Sequence, residues 1–151
     1  MRKIIIDTDP GIDDSFAITA ASKYSDFNIL GITTVAGNKG IEITTDNALK
    51  IVKLNSIDCM VYMGANESLL KQKITKFSGN GPHGDDGLGG VKLDFDKSKL
   101  SDIHAVDFIL DTVKNNPGEI EIIALGPVTN IALAIQKDKE TMKKVKAIYS
   151  M

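Results

Sequence analysis

The sequence predicts an α/β protein: an open, mostly parallel sheet with helices on both faces. Three observations lead there. Short β-branched runs and helical patterns alternate along all 151 residues, the order that builds βαβ units. The first run, Ile4-Ile5-Ile6, is apolar without alternation, as in a strand covered on both faces. No internal repeat, heptad or linker-like stretch divides the chain, so a single domain is expected.

The elements follow in order. Ile4-Ile5-Ile6 forms a strand that stops at the turn Pro10-Gly11. A helix over 13–24 places Phe16, Ala17, Ala20 and Ala21 at helical spacing. Residues 27–35 read as a second buried strand, 42–54 as a helix with Ala48, Ile51 and Val52 on one face, and 59–63 as a third strand. Six glycines within 78–90 exclude a stable helix or strand and predict a mobile loop. Ser101 is the expected N-cap of the next helix, with Asp102 favouring its dipole. That helix carries the stripe Ile103, Val106, Ile109, Leu110 and Val113, and Pro117-Gly118 ends it. A strand over 119–125, a turn at Gly126-Pro127, a helix over 128–136 and a strand from Val145 to Tyr149 complete the pattern.

Composition narrows the function. Hydrophobic residues make up 42% and charged residues 25%, an ordinary soluble balance. A net charge of −2 gives no pull toward nucleic acid or an anionic membrane. Cys59 is the only cysteine, which excludes an internal disulfide and suits a reducing compartment. The N-terminal apolar run is too short for a signal peptide or a membrane span, so a cytoplasmic location is expected. Lys143, Lys144 and Lys146 read as a solvated face, and Cys59 as a small buried hydrophobe.

Chemistry gathers where the first strand ends. Asp7, Asp9, Asp13 and Asp14 fall within eight residues, at the end of the sheet where open α/β folds bind ligands. Two carboxylates about 4 Å apart repel by about 4 kcal/mol at an effective dielectric near 20. A hard cation such as Ca²⁺ or Mg²⁺, bound by oxygens alone, would relieve that repulsion. A plainer reading stands beside it: Asp13 and Asp14 can stabilise a helix N-terminus, and Asp7 can be a turn residue.

Three segments carry a family resemblance. The run Ile4 to Asp14, ending Asp7-Thr8-Asp9-Pro10-Gly11-Ile12-Asp13-Asp14, resembles the opening signature of the inosine–uridine-preferring nucleoside hydrolases. Gly31-Ile32-Thr33-Thr34-Val35-Ala36-Gly37-Asn38 is similar to that family's second-strand motif, and Ala124-Leu125-Gly126-Pro127-Val128-Thr129-Asn130-Ile131-Ala132 to its later strand–turn–helix motif. The resemblance implies a Rossmann-like sheet and calcium-dependent hydrolysis of the N-glycosidic bond of ribonucleosides such as inosine or uridine. It implies Asp9 and Asp14 as Ca²⁺ ligands, the backbone carbonyl of Leu125 as another, and Asp7 as a further ligand or an acceptor beside the shell. Asp9 is also the implied general base. Asp13 and Asn38 are implied ribose contacts, and His83 a substrate contact, weighed against a solvated loop histidine. His104 reads as structural.

Family members continue beyond the position of Met151. Residues 1–151 are therefore expected to be the N-terminal part of a single nucleoside hydrolase domain, truncated and inactive by itself, in a protein that forms homo-oligomers. Two alternatives remain at this point. One is a phosphatase of the haloacid dehalogenase type, with Asp7 as nucleophile and Mg²⁺ as metal. The other is a non-catalytic remnant that folds and self-associates.

Overall fold

Ile4, Ile5 and Ile6 are fully buried, and this sets the strand β1 (Arg2–Thr8) in the middle of the sheet. The computed structural model describes residues 1–69 and 81–151. Among these residues, β1 is joined by β2 (Phe27–Thr34), β3 (Met60–Met63), β4 (Leu100–Ser101), β5 (Ile120–Ala124) and β6 (Ala147–Ser150). The order across the sheet is β4-β3-β2-β1-β5-β6, and every pairing is parallel. The chain builds outward from β1 to β4, then returns to the other side of β1 to lay down β5 and β6. The order therefore reverses between β1 and β5, the kind of switch point at whose carboxyl ends open α/β sheets bind ligands.

The pleat distributes the core. Ile4 and Ile6 enter one apolar cluster with Ile18 of α1 (Ile12–Lys23) and Ala48, Leu49, Ile51 and Val52 of α2 (Ile41–Asn55). Ile5 points the other way, into a cluster with Ile120 and Ile122 of β5. On that face Val106, Ile109, Leu110 and Val113 come from α3 (Ala105–Asn115), Ile131 and Ala134 from α4 (Thr129–Lys137), and Met142 from α5 (Lys139–Met142). Helices thus cover both faces, as the alternating pattern predicts. Gly31 marks a close approach within β2. A Cβ there would lie 2.6 Å from Phe108 Cζ and 2.8 Å from Tyr62 Cε2, two rings stacked with centroids 3.7 Å apart. The β1–β2 register also shifts beside Gly31, between Ile4 and Ile5.

Several local expectations are corrected. Of the expected α1 face, only Ala21 packs against the core, half-buried, while Phe16, Ala17 and Ala20 are exposed. Phe16 is 73% exposed, while Asp14 and Ile18 are the buried positions. The reason is the buried carboxylate: once Asp14 is turned into the site, helical geometry carries Ile18 inward and Phe16 outward. Ser101 does not cap α3. It ends the edge strand β4, its hydroxyl accepting from Ile103 N–H at 3.1 Å. The cap is His104, whose Nδ1 accepts from Val106 N–H at 3.2 Å. Ile103 consequently stands outside the helix and is exposed. Lys146 is not purely solvated, because its Nζ donates to buried Glu121 at 2.9 Å. Within the glycine-rich loop, residues 81–90 form turns and bends, while 78–80 lie outside the described residues.

Candidate functional site

The acid-rich turn lies at the carboxyl ends of β1 and β5. Asp7 is paired in register with Thr33 on one side and Ala124 on the other, so its carboxylate sits at the switch point with 0% exposure. Thr33 Oγ1 and Asn130 Nδ2 donate to Asp7 Oδ1 at 2.6 and 2.8 Å. Asp7 Oδ2 is buried without a partner. Burial raises the Asp7 carboxyl to about 6, against those two hydrogen bonds.

Asp9 lies in the turn itself. Its Oδ2 accepts from Asn38 N–H at 2.6 Å, and its backbone carbonyl accepts from Asn38 Nδ2 at 3.1 Å. Gly37 and Gly126 close in on the same carboxylate, and a Cβ at either would collide with it. Burial pushes Asp9 up to about 7, helped by the negative charge of Asp14 and then of Asp13. Asp14 occupies the first turn of α1 but is buried. Thr8 Oγ1 donates to its Oδ2 at 2.8 Å, and burial raises its carboxyl as well. A role at the helix dipole would not require burial, so the plainer reading covers Asp13 better than Asp14.

The remaining residues surround this group. Asp13 is exposed, with Oδ1 3.7 Å from His83 Nε2. His83 Nδ1 accepts from Ile12 N–H at 3.2 Å, so in its neutral form the imidazole carries its proton on Nε2. Asn38 is exposed beside Asp9. Leu125 follows β5 directly and donates its N–H to the Asp7 carbonyl at 2.8 Å. The turn, the end of β2, the end of β5 and the glycine-rich loop thus converge on one end of the sheet.

Whether this end suits a metal ion can be judged from the donors. They are oxygens only, and one of them, Asp7 Oδ2, is buried and unpaired. Three neighbouring carboxyls are all raised by burial, the state that a hard cation would relieve. That chemistry fits. Among the described residues, however, no group of three or more His, Cys, Asp or Glu side chains already forms a metal cluster.

Asn130 is the residue that sequence reasoning left unassigned. It is fully buried, and it ties three strand ends together. Its Nδ2 donates to Asp7 Oδ1 at 2.8 Å and to the Thr34 carbonyl at 2.9 Å, while its Oδ1 accepts from Ala65 N–H at 2.9 Å. It lies inside the third quoted segment, but nothing local shows that its amide reaches β1, β2 and the residue after Gly64.

The profile of the inosine-uridine preferring nucleoside hydrolases matches residues 4–151. The chain belongs to this nucleoside hydrolase family. Uridine nucleosidase 1 of Arabidopsis thaliana is 44% identical over 148 residues, 97% of this chain and 44% of that protein. Pyrimidine-specific ribonucleoside hydrolase RihB of Escherichia coli O157:H7 is 36% identical over 150 residues, 99% of this chain and 47% of that protein. Among solved structures, the purine-preferring ribonucleoside hydrolase from Gardnerella vaginalis superposes with a TM-score of 0.91 at 35% identity, covering 99% of this chain and 48% of that one. The plant nucleoside hydrolase PpNRh1 gives 0.89 at 38% identity, covering 97% and 46%. The chain therefore spans about half the length of the nucleoside hydrolases it matches. Family membership sets aside the haloacid-dehalogenase-type reading, and the buried, hydrogen-bonded Asp7 is not presented as an open nucleophile. No helix among the described residues is long and apolar enough to cross a membrane.

Proposed function

We propose that this chain supplies the metal- and ribose-binding part of a calcium-dependent nucleoside hydrolase, which splits ribonucleosides into ribose and free base. The observation that carries the reading is the trio of buried carboxyls Asp7, Asp9 and Asp14 at the switch point, each with its proton affinity raised by burial. Such an arrangement is unstable as a structural feature and useful as an ion site. Asp9 and Asp14 would hold Ca²⁺ with the Leu125 carbonyl. Asp7, tied to Thr33 and Asn130, acts from beside that shell or completes it through Oδ2. Bound there, Ca²⁺ would polarise a water and lower its pKa.

The chain's own residues have separable tasks. Asp9, its carboxylate held by the Asn38 N–H at the turn, would take a proton from an attacking water. Asp13, exposed beside His83, would accept from a ribose hydroxyl, and Asn38, exposed beside Asp9, would be a second ribose contact. The carboxylates also favour the positive charge that develops on the sugar as the glycosidic bond breaks. His83 Nε2–H faces Asp13 and the open side, where a base would lie. The similar proteins are named for pyrimidine and for purine substrates, so the proposal is confined to ribonucleosides as a class. Residues 1–151 are read as one part of a single catalytic domain. Self-association belongs to the same reading, supported by exposed apolar side chains such as Phe16, Leu54 and Tyr149; sedimentation of the whole-gene product checks it.

The deciding experiment is a reducing-sugar assay on the whole-gene product with inosine and uridine. Turnover that calcium chelation suppresses and Asp9→Ala abolishes is the expected result. Unchanged turnover in Asp9→Ala would remove the basis of the proposal.

A further inference from the structure

The acid-rich turn and the glycine-rich loop are joined by a side chain that belongs to neither. Asn47 sits in the interior of α2 and is fully buried. Asparagine is a poor choice for a helix interior, because its amide competes for backbone groups. Here it serves backbone groups elsewhere. Its Nδ2 donates to the Pro10 carbonyl at 3.2 Å and to the Asp86 carbonyl at 2.8 Å. Its Oδ1 accepts from Lys50 Nζ at 3.1 Å. A cation on one side and two carbonyls on the other leave the amide a single favourable orientation.

The loop is shaped to receive it. Gly87 has φ +81°, and a Cβ there would lie 2.8 Å from Asn47 Nδ2. A side chain at 87 would be both strained and in collision. A second junction forms nearby, where Ile12 N–H donates to His83 Nδ1 at 3.2 Å and the ring lies over Gly11. The loop is thus gripped at Asp86 and at His83 by partners on or next to the turn.

We propose that Asn47 is a positioning residue for substrate binding: it clasps the 81–90 loop to the acid-rich turn, so that His83 and Asp13 face a bound nucleoside together. The inference rests on the nucleoside reading given above and assigns regulation of loop closure to a residue outside the site. Without the clasp, only part of the population has the loop seated. A ligand that needs the seated state then binds more weakly by that fraction, while the chemical step within the complex is unchanged.

The test uses the whole-gene product and two variants, Asn47→Ala and Gly87→Ala. The second disturbs the clasp from the loop, where Gly87 is buried against Asn47, and leaves the α2 sequence unchanged, so it serves where the first fails to fold. Two quantities are read: amide hydrogen exchange at Leu88 and Gly90, whose N–H groups both donate to Asp86 Oδ1, and KM against kcat for inosine and uridine. Loss of the clasp should speed exchange about five- to tenfold for each hydrogen bond lost, and raise KM by a similar factor with kcat within about twofold. Unchanged exchange overturns the clasp. Faster exchange with unchanged KM, or a fall in kcat at constant KM, overturns the positioning role. A wild-type protein that hydrolyses neither nucleoside would sink the nucleoside reading and the positioning role with it, while exchange at Leu88 would still report whether the clasp exists.

Discussion

Replacing Asn130 tests whether the site is held by hydrogen bonds or by shape. Its amide satisfies Ala65 N–H and the Thr34 carbonyl, and supplies one of the two bonds to Asp7 Oδ1. Asn130→Ala leaves at least two buried backbone groups without these partners. At about 1–3 kcal/mol for each buried group left unsatisfied, the loss should come to about 3–5 kcal/mol. In urea, with a slope near 2 kcal/mol per molar, the midpoint should fall by about 2 M. Asn130→Asp is the sharper probe because the shape is kept. One oxygen can still accept from Ala65, but the other replaces a donor that lies 2.8 Å from Asp7 Oδ1 and 2.9 Å from the Thr34 carbonyl. At pH 8 the variant should lose as much stability as Asn130→Ala. On acidification part of that loss should return, as one carboxyl of the facing pair takes a proton and becomes a donor. Urea unfolding at pH 8 and pH 5 measures both. Stability of Asn130→Asp within about 0.5 kcal/mol of wild type at pH 8 would refute the reasoning, since a surface-like effect of that size needs no lost partner.

Three other outcomes are expected. Glu121, buried in β5, accepts from Arg2, Lys146 and Tyr149, and the Arg2 guanidinium first of all holds its carboxyl down at about 2, from an ordinary 4.5. A depressed carboxyl contributes stability that is fully present above pH 4.5 and is lost as pH falls toward 2, so Glu121→Gln should flatten the acid limb of a stability–pH curve; an unaltered limb would assign acid unfolding to other groups. Gly31→Ala should cost about 1–3 kcal/mol by overpacking, because its Cβ would press on Phe108 and Tyr62, and Phe108→Leu in the same chain should restore part of it in thermal unfolding. Gly126→Ala should weaken Ca²⁺ binding at least tenfold on a calorimeter, an order-of-magnitude expectation for a displaced charged ligand, since its Cβ would collide with the Asp9 carboxylate; unchanged affinity would mean that Asp9 is not a ligand.

Local patterns were enough wherever burial is symmetrical or the turn chemistry is strong. Ile4-Ile5-Ile6 can only be a strand covered on both faces, and Val106, Ile109, Leu110 and Val113 can only be a helix stripe. Patterns failed where a polar residue was turned inward. Asp14 rotates the buried face of α1 onto Ile18 and Ala21, and leaves Phe16 in solvent. The cap of α3 was misplaced because Ser101 was engaged by the short edge strand β4, which its own two residues do not announce.

The sequence by itself determined the α/β class, the family, and the acid-rich turn between Asp7 and Asp14, because these depend on residues adjacent in the chain. Tertiary structure decided how those acids differ. Asp7 is sealed at the switch point, Asp9 is pinned by Asn38 between two glycines, Asp14 is buried under Thr8, and Asp13 faces outward to His83. The physical reason is that a carboxylate's proton affinity and partners are set by desolvation and by donors such as Thr33 of β2, Asn38 of the turn after β2 and Asn130 of α4, tens of residues away. Asn47 and Asn130 belong to that second category, since their amides act only where distant strand ends and loops converge.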